Sequence, residues 1–569
     1  MDKDEVIRVL EEIALLLELK GENPFKARAY VGAARSLEGT REEIGGLIAS
    51  GRLGDLPGIG EALREKIATL ATTGRLPYYE ELRSRFPPGL FEILRIPGLG
   101  PRKVRVIWEK LGVSTLGELE YACRENRLLD LPGFGPKSQE KILRGIDLLK
   151  RNRDRFHCDV ALREGEALLQ GLREHPAVVR IALAGSIRRR WETSKDVNLV
   201  ASSGDPASLM AAFVSLRGVA EVVARGETKS SVRLDSGPAA DLRVVSDAQF
   251  PSALHHFTGS KEHNVAMRAR ALRRGMKLNE YGLFQGEEPV PCSGEEEIFR
   301  RLGLVFIPPE LREDRGEIEA AEKGEIPRLV RWEDLKGVLH VHTSASDGSA
   351  TLEEMADAAR GLGMTYLGIC DHSKAASYAG GLDEGRVEEQ HRAIDELNRS
   401  LEGITLLKGI EADILADGTL DFSDEILARF DFVVASVHSR FHLPEAEMTR
   451  RIVRAVANPH VRILGHPTGR LLLARDPYPV DLTAVFRAAA EHGVCIELNA
   501  NPYRLDLDWR RIPEAKAEGL KISINPDAHD PEGLADMRYG VGIARKGWLT
   551  REDVLNTLVL PDLMRFFRR

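Results

Sequence analysis

Long apolar runs are missing from this 569-residue chain. The most apolar stretches, such as DFVVASVH at 431–438, fall far short of the roughly 20 residues that a membrane helix needs. The N-terminal MDKDEVIRVLEEIALLLELK is acidic and amphipathic rather than signal-like, so a cytoplasmic protein is expected. Cysteine is scarce too. Cys123, Cys158, Cys292, Cys370 and Cys495 stand far apart with no CxxC pair, which excludes a zinc ribbon and a disulfide framework. A uniform charge is also lacking. The net charge is −8, yet residues 1–350 hold 53 basic and 53 acidic side chains, and all the excess acid lies beyond them. Within the first part, residues 51–200 carry 27 basic against 20 acidic side chains, a balance suited to a phosphate-rich partner. With 30% charged and 43% hydrophobic residues, the composition is that of a folded globular protein, and the length implies about three to five units.

What is present first is a repeat: LPGIGEALREKI at 56–67, IPGLGPRKVRVI at 96–107 and LPGFGPKSQEKI at 131–142. Each has two glycines, Gly58 and Gly60, Gly98 and Gly100, Gly133 and Gly135, followed by a helical period. The glycines permit a tight turn and a close approach, and the helix that follows presents free amides and its positive dipole end. That is an anion site without side-chain specificity. The pattern resembles the helix-hairpin-helix element, which holds the DNA backbone through main-chain amides. Ahead of it, NPFKARAYVGAARSL resembles the lyase-type domain of family X DNA polymerases. That resemblance implies Schiff-base chemistry at Lys66; because Lys141 holds the same place in the third hairpin, a phosphate-gripping role for Lys66 is the alternative.

From residue 157 to about 315 the chain continues to resemble family X polymerases. AGSIRRR supplies Gly185, Ser186 and Arg189 at the positions that bind the incoming triphosphate. DVNLV places residues 196 and 198 on one face of a strand, and AADLRVV adds Asp241. FTGSKEHN resembles the family's nucleotide-selecting segment, which implies Phe257 and Gly259 near the sugar and Asn264 near the base. The resemblance implies two Mg2+ or Mn2+ ions held by three carboxylates, of which Asp196 and Asp241 are present and the bridging one is replaced by Asn198. A neutral ligand there weakens both ion sites, and a misplacement of 1 Å can cost ~100-fold in rate. Synthesis is therefore expected to be impaired, unless manganese or the asparagine carbonyl restores the geometry. Glu192 precedes the strand and is not placed to substitute.

Beyond residue 336 seven apolar runs alternate with helical stretches: GVLHVH, TYLGICDH, ITLLKGIEAD, FDFVVASVH, VRILGHP, VCIELNA and KISINPDAH. This predicts a parallel (β/α)7 barrel, a TIM-type barrel with one unit missing. Such barrels carry their chemistry at the C-terminal strand ends. There stand His340, His342, Asp347, His372, Glu411, His438, His466, Asp527 and His529. Imidazole and carboxylate together suit Mn2+, Zn2+ or iron, and a set this large implies two or three ions. The set resembles that of the PHP (polymerase and histidinol phosphatase) family, which implies metal-dependent phosphoester hydrolysis. Arg470, Asn501 and Arg504 are candidate phosphate contacts.

The expected organisation is a helical lyase-like domain with the first hairpin at 1–85, a fingers-type DNA-binding domain at 86–156, and an α/β nucleotidyltransferase palm at 157–255. A thumb at 256–315, a linker at 316–335 and the PHP barrel at 336–569 complete it. The whole resembles bacterial family X polymerases with a C-terminal PHP domain. That resemblance implies a monomer acting on gapped or primer-template DNA with a 5′-phosphate and on dNTPs, with gap filling by the palm and trimming by the barrel. The trimming would be a 3′→5′ exonuclease, with 3′-phosphatase or abasic-site endonuclease action as further possibilities. Two other readings stay open: a polymerase-dead platform delivering DNA to the nuclease, or a small-molecule phosphatase fused to a DNA-binding module.

Overall fold

The computed structural model describes every residue except 41, 130, 153 and 569, and the backbone alone at 151 and 152. The chain forms two compact units, Met1–Arg153 and Asp154–Arg569.

The first unit is all helical. Helix α1 (Lys3–Lys20) starts on a capping box in which Asp2 and Glu5 exchange hydrogen bonds, and stops at Gly21 in the left-handed region. Its Val6, Leu10, Ile13 and Leu17 share one face by their spacing and pack with Ala27, Tyr30 and Ala34 of α2 (Pro24–Glu38). Three further helices, α3 (Glu61–Thr73), α4 (Pro101–Leu111) and α5 (Pro136–Asn152), follow the three Gly-rich turns. One apolar cluster runs from Val6 to Ile146, so the expected boundary at 85/86 lies inside a shared core.

The second unit opens with a five-stranded sheet: β1 (Val178–Ala184), β2 (Asp196–Ser203), β3 (Val219–Arg225), β4 (Lys229–Leu234) and β5 (Ala239–Val245), in the order β1-β2-β5-β4-β3. Along β2 the alternation is strict at its start. Val197 and Leu199 are buried with Ala161 and Leu168 of α6 (Cys158–Arg173), while Asp196 and Asn198 face the other side. Helices α7 (Phe250–Thr258) and α8 (Lys261–Arg273) lead to a three-stranded meander with its own core around Met267, Phe299 and Leu302. The expected linker at 316–335 is a packed strap, not a tether. Helix α9 (Glu317–Lys323) buries Ile318 and Ala321 in that core, and Val330 joins the core shared by the palm and the barrel.

The barrel has seven parallel strands in chain order: β6 (Gly337–Val341), β7 (Tyr366–Ile369), β8 (Thr405–Asp413), β9 (Phe432–Ser436), β10 (Val461–Leu464), β11 (Cys495–Asn499) and β12 (Ile522–Asn525). Closure is made just past β12, where the His342 amide donates to the Ala528 carbonyl at 2.8 Å. Phe567 of the last helix stacks on Phe432 with 5.0 Å between rings. Phe432 begins its strand, so this plug fills the N-terminal end and leaves the C-terminal end for chemistry.

Palm and barrel meet where Asp159 on α6 approaches Asp536, just ahead of α10 (Met537–Lys546). Burial, then Asp159, pushes the Asp536 carboxyl up to about 7. An unfolded aspartate titrates near 3.9, so the folded chain keeps a proton that the unfolded chain loses. This site's contribution to stability therefore falls as pH rises from about 4 to about 7 and stays low above. Asp536→Asn is expected to match the wild-type melting temperature at pH 4 and to exceed it at pH 8. Equal melting at pH 8 would remove this pair from the account.

Candidate functional site

At the C-terminal mouth of the barrel the strand ends bring the predicted ligands together. His342, Asp347, His372 and His529 form one group whose ligand atoms lie within 4.8 Å of one another; His340, His342 and Asp527 form a second, and His372, Glu411 and His438 a third. The groups share His342 and His372, so they are neighbouring compartments of one centre. His466 joins through Glu411, with Nε2 3.0 Å from Oε1. His340, His342, His466 and Glu411 are buried, whereas Asp347 and His529 are about one-third exposed and form the open lip.

Carboxylates decide which imidazoles carry charge here. His340 is held well above its ordinary range because Glu497, Asp527 and Glu411 outweigh its burial. Against burial, Glu411 and Asp347 raise His372 to about 10, and Glu411 and Asp413 raise His438 to about 9. His342, buried and beside His529 and His372, is pushed down to about 4. Glu411 and Asp527 stay well below the usual carboxylate range despite full burial, because histidines surround them. His340 Nε2, His342 Nδ1, His466 Nδ1 and Glu411 Oε2 are buried and make no hydrogen bond. Buried polar atoms ordinarily find partners, so donor atoms converging without them fit divalent cations.

Several supporting residues escape a reading by strand ends. Glu497 Oε1 accepts from His340 Nδ1 at 2.7 Å and its other oxygen accepts the His466 amide at 2.7 Å. Asn525 Nδ2 donates to Glu497 Oε1 at 3.0 Å, and Asn499 Nδ2 to Asp527 Oδ2 at 3.1 Å. Asp413 bonds His438 Nδ1. These partners fix ring orientation, leaving the opposite nitrogen for an ion. The signal was a charge or amide inside an otherwise apolar strand, as in CIELN. Of the phosphate candidates, Arg470 is not available: it is buried and bound to Asp508 at 3.1 Å and to the Arg504 carbonyl at 3.0 Å, with Glu192 3.5 Å away. Asn501 accepts the Tyr503 amide at 3.0 Å within its own turn. Arg504, with Nε 3.6 Å from Asp527 Oδ2, remains at the centre.

In the palm, parallel pairing sets Asn198 opposite Asp241. Asn198 Nδ2 donates to Asp196 Oδ1 at 2.9 Å. Asp241 is engaged on both oxygens, by Ser231 Oγ at 2.5 Å and by Lys229 Nζ at 2.6 Å. Burial, then Asp241, raises the Asp196 carboxyl. Among the described residues the palm has no trio of metal-type ligands comparable with the barrel's. Gly185 is left-handed (φ 65°), and a Cβ there would come 3.1 Å from Asn198 Nδ2. Ser186 Oγ lies 2.6 Å from Ser194 Oγ. The Arg189 guanidinium lies against Gly259, but its Nε is bound to Glu313 at 3.0 Å, so this expected triphosphate contact is tied down. Phe257 lies beneath Arg243 at 4.5 Å, and Asn264 donates to the His256 carbonyl at 2.7 Å while its Oδ1 has no partner.

The three Gly-rich turns of the first unit have one geometry. Gly58, Gly98 and Gly133 have φ of 78°, 79° and 81°. Amides of Ile59, Leu99 and Phe134 close each turn onto Leu56, Ile96 and Leu131 at 3.2, 3.0 and 3.2 Å. Gly60 and Gly100 cap α3 and α4 in extended backbone without any side-chain cap, and space opens beside Gly60, Gly100 and Gly135. The helix amides thus face an open surface that admits an anion. Lys66 on α3 donates to Tyr30 Oη at 2.7 Å and lies 4.0 Å over the Tyr78 ring. Burial, then Lys26, lowers its pKa. Lys141 instead lies across the glycine of the second hairpin, 3.1 Å from where a Gly98 Cβ would stand.

Four family models match the chain: a helix-hairpin-helix domain at 1–76, a SAM-like helix-hairpin-helix tandem at 91–147, the DNA polymerase beta thumb at 253–313 and the PHP domain at 339–501. The PHP match ends before Asp527 and His529, which the fold itself returns to the centre. The DNA polymerase/3′-5′ exonuclease PolX of Bacillus subtilis (strain 168) is 39% identical over 573 residues, covering 100% of both chains. A protein of Thermoanaerobacter sp. (strain X514) named probable phosphatase is 29% identical over 38% of this chain and 89% of its own. Another of that name, from Acetivibrio thermocellus, is 34% identical over 33% of this chain and 78% of its own. With a relative this similar from end to end, the chain belongs to the family X DNA polymerases that carry a C-terminal PHP domain.

Proposed function

We propose that this protein acts on DNA in repair, and that its dependable activity is metal-dependent 3′→5′ nucleotide removal at the barrel centre, with palm synthesis impaired. The contrast between the two centres carries this reading. At the barrel mouth, donor atoms converge from strand ends with several left unpartnered. In the palm, one carboxylate is replaced by Asn198, Asp241 is paired with Lys229, and Arg189 with Glu313. The Bacillus relative's name supports both activities for the family.

His340, His342, Asp347, His372, Glu411, His438, His466, Asp527 and His529 would hold two or three Mn2+, Zn2+ or iron ions. Such ions supply a water of lowered pKa and neutralise phosphate charge when bound. The protein's own part is orientation: Glu497 and Asp413 fix His340 and His438, and Arg504 offers a cation to a phosphate oxygen. Asp347 and His529, at the open lip, meet the substrate side first. The same chemistry extends to 3′-phosphates and abasic sites. Gly58, Gly60, Gly98, Gly100, Gly133 and Gly135 would hold the DNA backbone, while Gly185, Ser186, Phe257, Gly259 and Asn264 would accept a dNTP beside the Mg2+ or Mn2+ ligands Asp196 and Asp241, with Arg189 held back by Glu313. Lys66 is held by tyrosines and has a lowered pKa, which favours the neutral amine a Schiff base needs.

A one-nucleotide-gapped DNA labelled at the primer 5′ end, incubated with four dNTPs and Mg2+ or Mn2+, tests the main reading. Wild type is expected to shorten the primer, His342→Ala to lose that shortening, and Asn198→Asp to extend it about 100-fold faster than wild type. Equal extension by wild type and Asn198→Asp would show that the asparagine does not impair the palm. Hydrolysis of a soluble phosphomonoester with the primer untouched would make the barrel a metabolite phosphatase.

Ions that bind only the folded barrel stabilise it by mass action, about 2.7 kcal/mol at 100 times the dissociation constant. Chelation is therefore expected to lower the melting temperature by about 5 °C in wild type and by much less in His342→Ala. An unchanged wild-type melting curve would mean that the centre holds no ion. Borohydride trapping on a 5′-deoxyribose phosphate end is expected to yield a covalent adduct that Lys66→Ala loses. Trapping that survives this substitution would leave Lys66 the role of a phosphate grip.

A further inference from the structure

The barrel domain has five tyrosines, of which Tyr366, Tyr478 and Tyr539 are buried. Among its described residues, the exposed aromatic side chains are Tyr378, 72% exposed, and Tyr503, 57% exposed. Exposed aromatics scattered over a surface need no explanation. These two are not scattered. Tyr378, on a short turn after β7, has its ring centroid 6.3 Å from that of His372, a residue shared by two ligand groups. Tyr503 follows β11 and precedes Arg504, whose Nε is 3.6 Å from the ligand Asp527. In the strand order, β7 and β11 are the second and the sixth of seven, so ligand-bearing strand ends lie between them in both directions around the barrel.

The Tyr503 ring is packed, and the backbone that carries Tyr378 is fixed in a turn. Tyr503 packs on His157 with 4.6 Å between centroids, and its carbonyl accepts the Leu472 amide at 2.7 Å. Tyr378 lies within the turn Ser377–Ala379, which closes on Gly380, and Ala379 beside it is buried. An aromatic face beside a phosphoester centre fits a flat apolar group attached to the phosphate through a sugar. Nucleobases present such a face, and stacking on tyrosine tolerates any base. A sugar phosphate or a phosphoserine offers nothing flat to stack.

We propose that Tyr378 and Tyr503 are the nucleobase-binding residues of the barrel centre, each stacking on a base at the 3′ end of the strand being trimmed. This rests on the nuclease reading above. Stacking of this kind tolerates all four bases.

The test compares two single-stranded 5′-labelled oligonucleotides, alike except that one has a natural base and the other a tetrahydrofuran abasic residue at each of its last two 3′ positions. Digestion is followed with Mn2+ and without dNTPs. Wild type is expected to show about a tenfold lower KM on the natural strand. Tyr378→Ala and Tyr503→Ala should each reduce that preference severalfold and the double variant abolish it, while Tyr378→Phe and Tyr503→Phe retain it. The ratio between strands does not depend on how much of a variant is folded. A wild-type ratio near one, or Ala variants that keep the wild-type ratio, would overturn the proposal while leaving the nuclease standing. Failure of wild type to shorten either strand would overturn both.

Discussion

Glu411 is a carboxylate with almost no contact with water, and the barrel centre is organised around it. Its oxygens lie 2.9 Å from His372, 3.0 Å from His466 and 3.3 Å from His438, with His340 at 3.6 Å and His342 at 3.7 Å. Burying such a charge alone is prohibitive, and a single partner would scarcely offset it. The fold answers by converging strand ends, which a parallel barrel does as a matter of geometry. The same requirement explains Glu497 and Asp413, each orienting an imidazole so that its other nitrogen points inward. A centre built this way favours protons on His340, His372 and His438, which divalent ions would displace on binding. The fold and the chemistry therefore share one electrostatic demand.

A second buried charge binds palm to barrel. Glu313 accepts from Arg189 Nε at 3.0 Å and Trp191 Nε1 at 2.5 Å, and pairs with Lys546 from α10. Lys546 is itself buried, its pKa lowered by burial to about 8 although Glu313 works the other way. Glu192, which could not be assigned to the palm metals from its position, lies buried near Arg470 and Arg510 of the barrel at 3.5 and 3.4 Å. Arg470 looked like a phosphate ligand in LGHPTGRLL, yet it is consumed by this junction. Long basic side chains read alike in sequence whether they meet a ligand or a buried carboxylate.

The sequence was most informative where a pattern recurs or where type and spacing are both constrained. Three Gly-x-Gly turns gave the first unit its character, and seven apolar runs with polar ends gave the barrel and the positions of its candidate ligands. Each depends on local backbone or on strand alternation, which a single chain displays. What stayed hidden depends on pairing between distant segments. Lys229 meets Asp241 because β4 lies beside β5, and nothing in KSSVRL declares it. Likewise the strap at 316–335 is charged enough to pass for a linker, yet its Ile318, Ala321, Leu329, Val330 and Leu335 find a core.

These long-range contacts bear on what the palm is for. Its strand residues Val197, Leu199 and Leu242 belong to the same apolar cluster as Ile410, Ile496 and Ile524 of the barrel. A nucleotidyltransferase sheet whose apolar layer is continuous with that of its neighbour has a structural duty that does not depend on metal. Asn198 illustrates the compatibility. It satisfies Asp196 by a hydrogen bond where a third carboxylate would add repulsion in a site whose Asp196 is already raised by burial and by Asp241. Without ions, an asparagine is the more stable residue at that position; with ions, an aspartate is the more competent one.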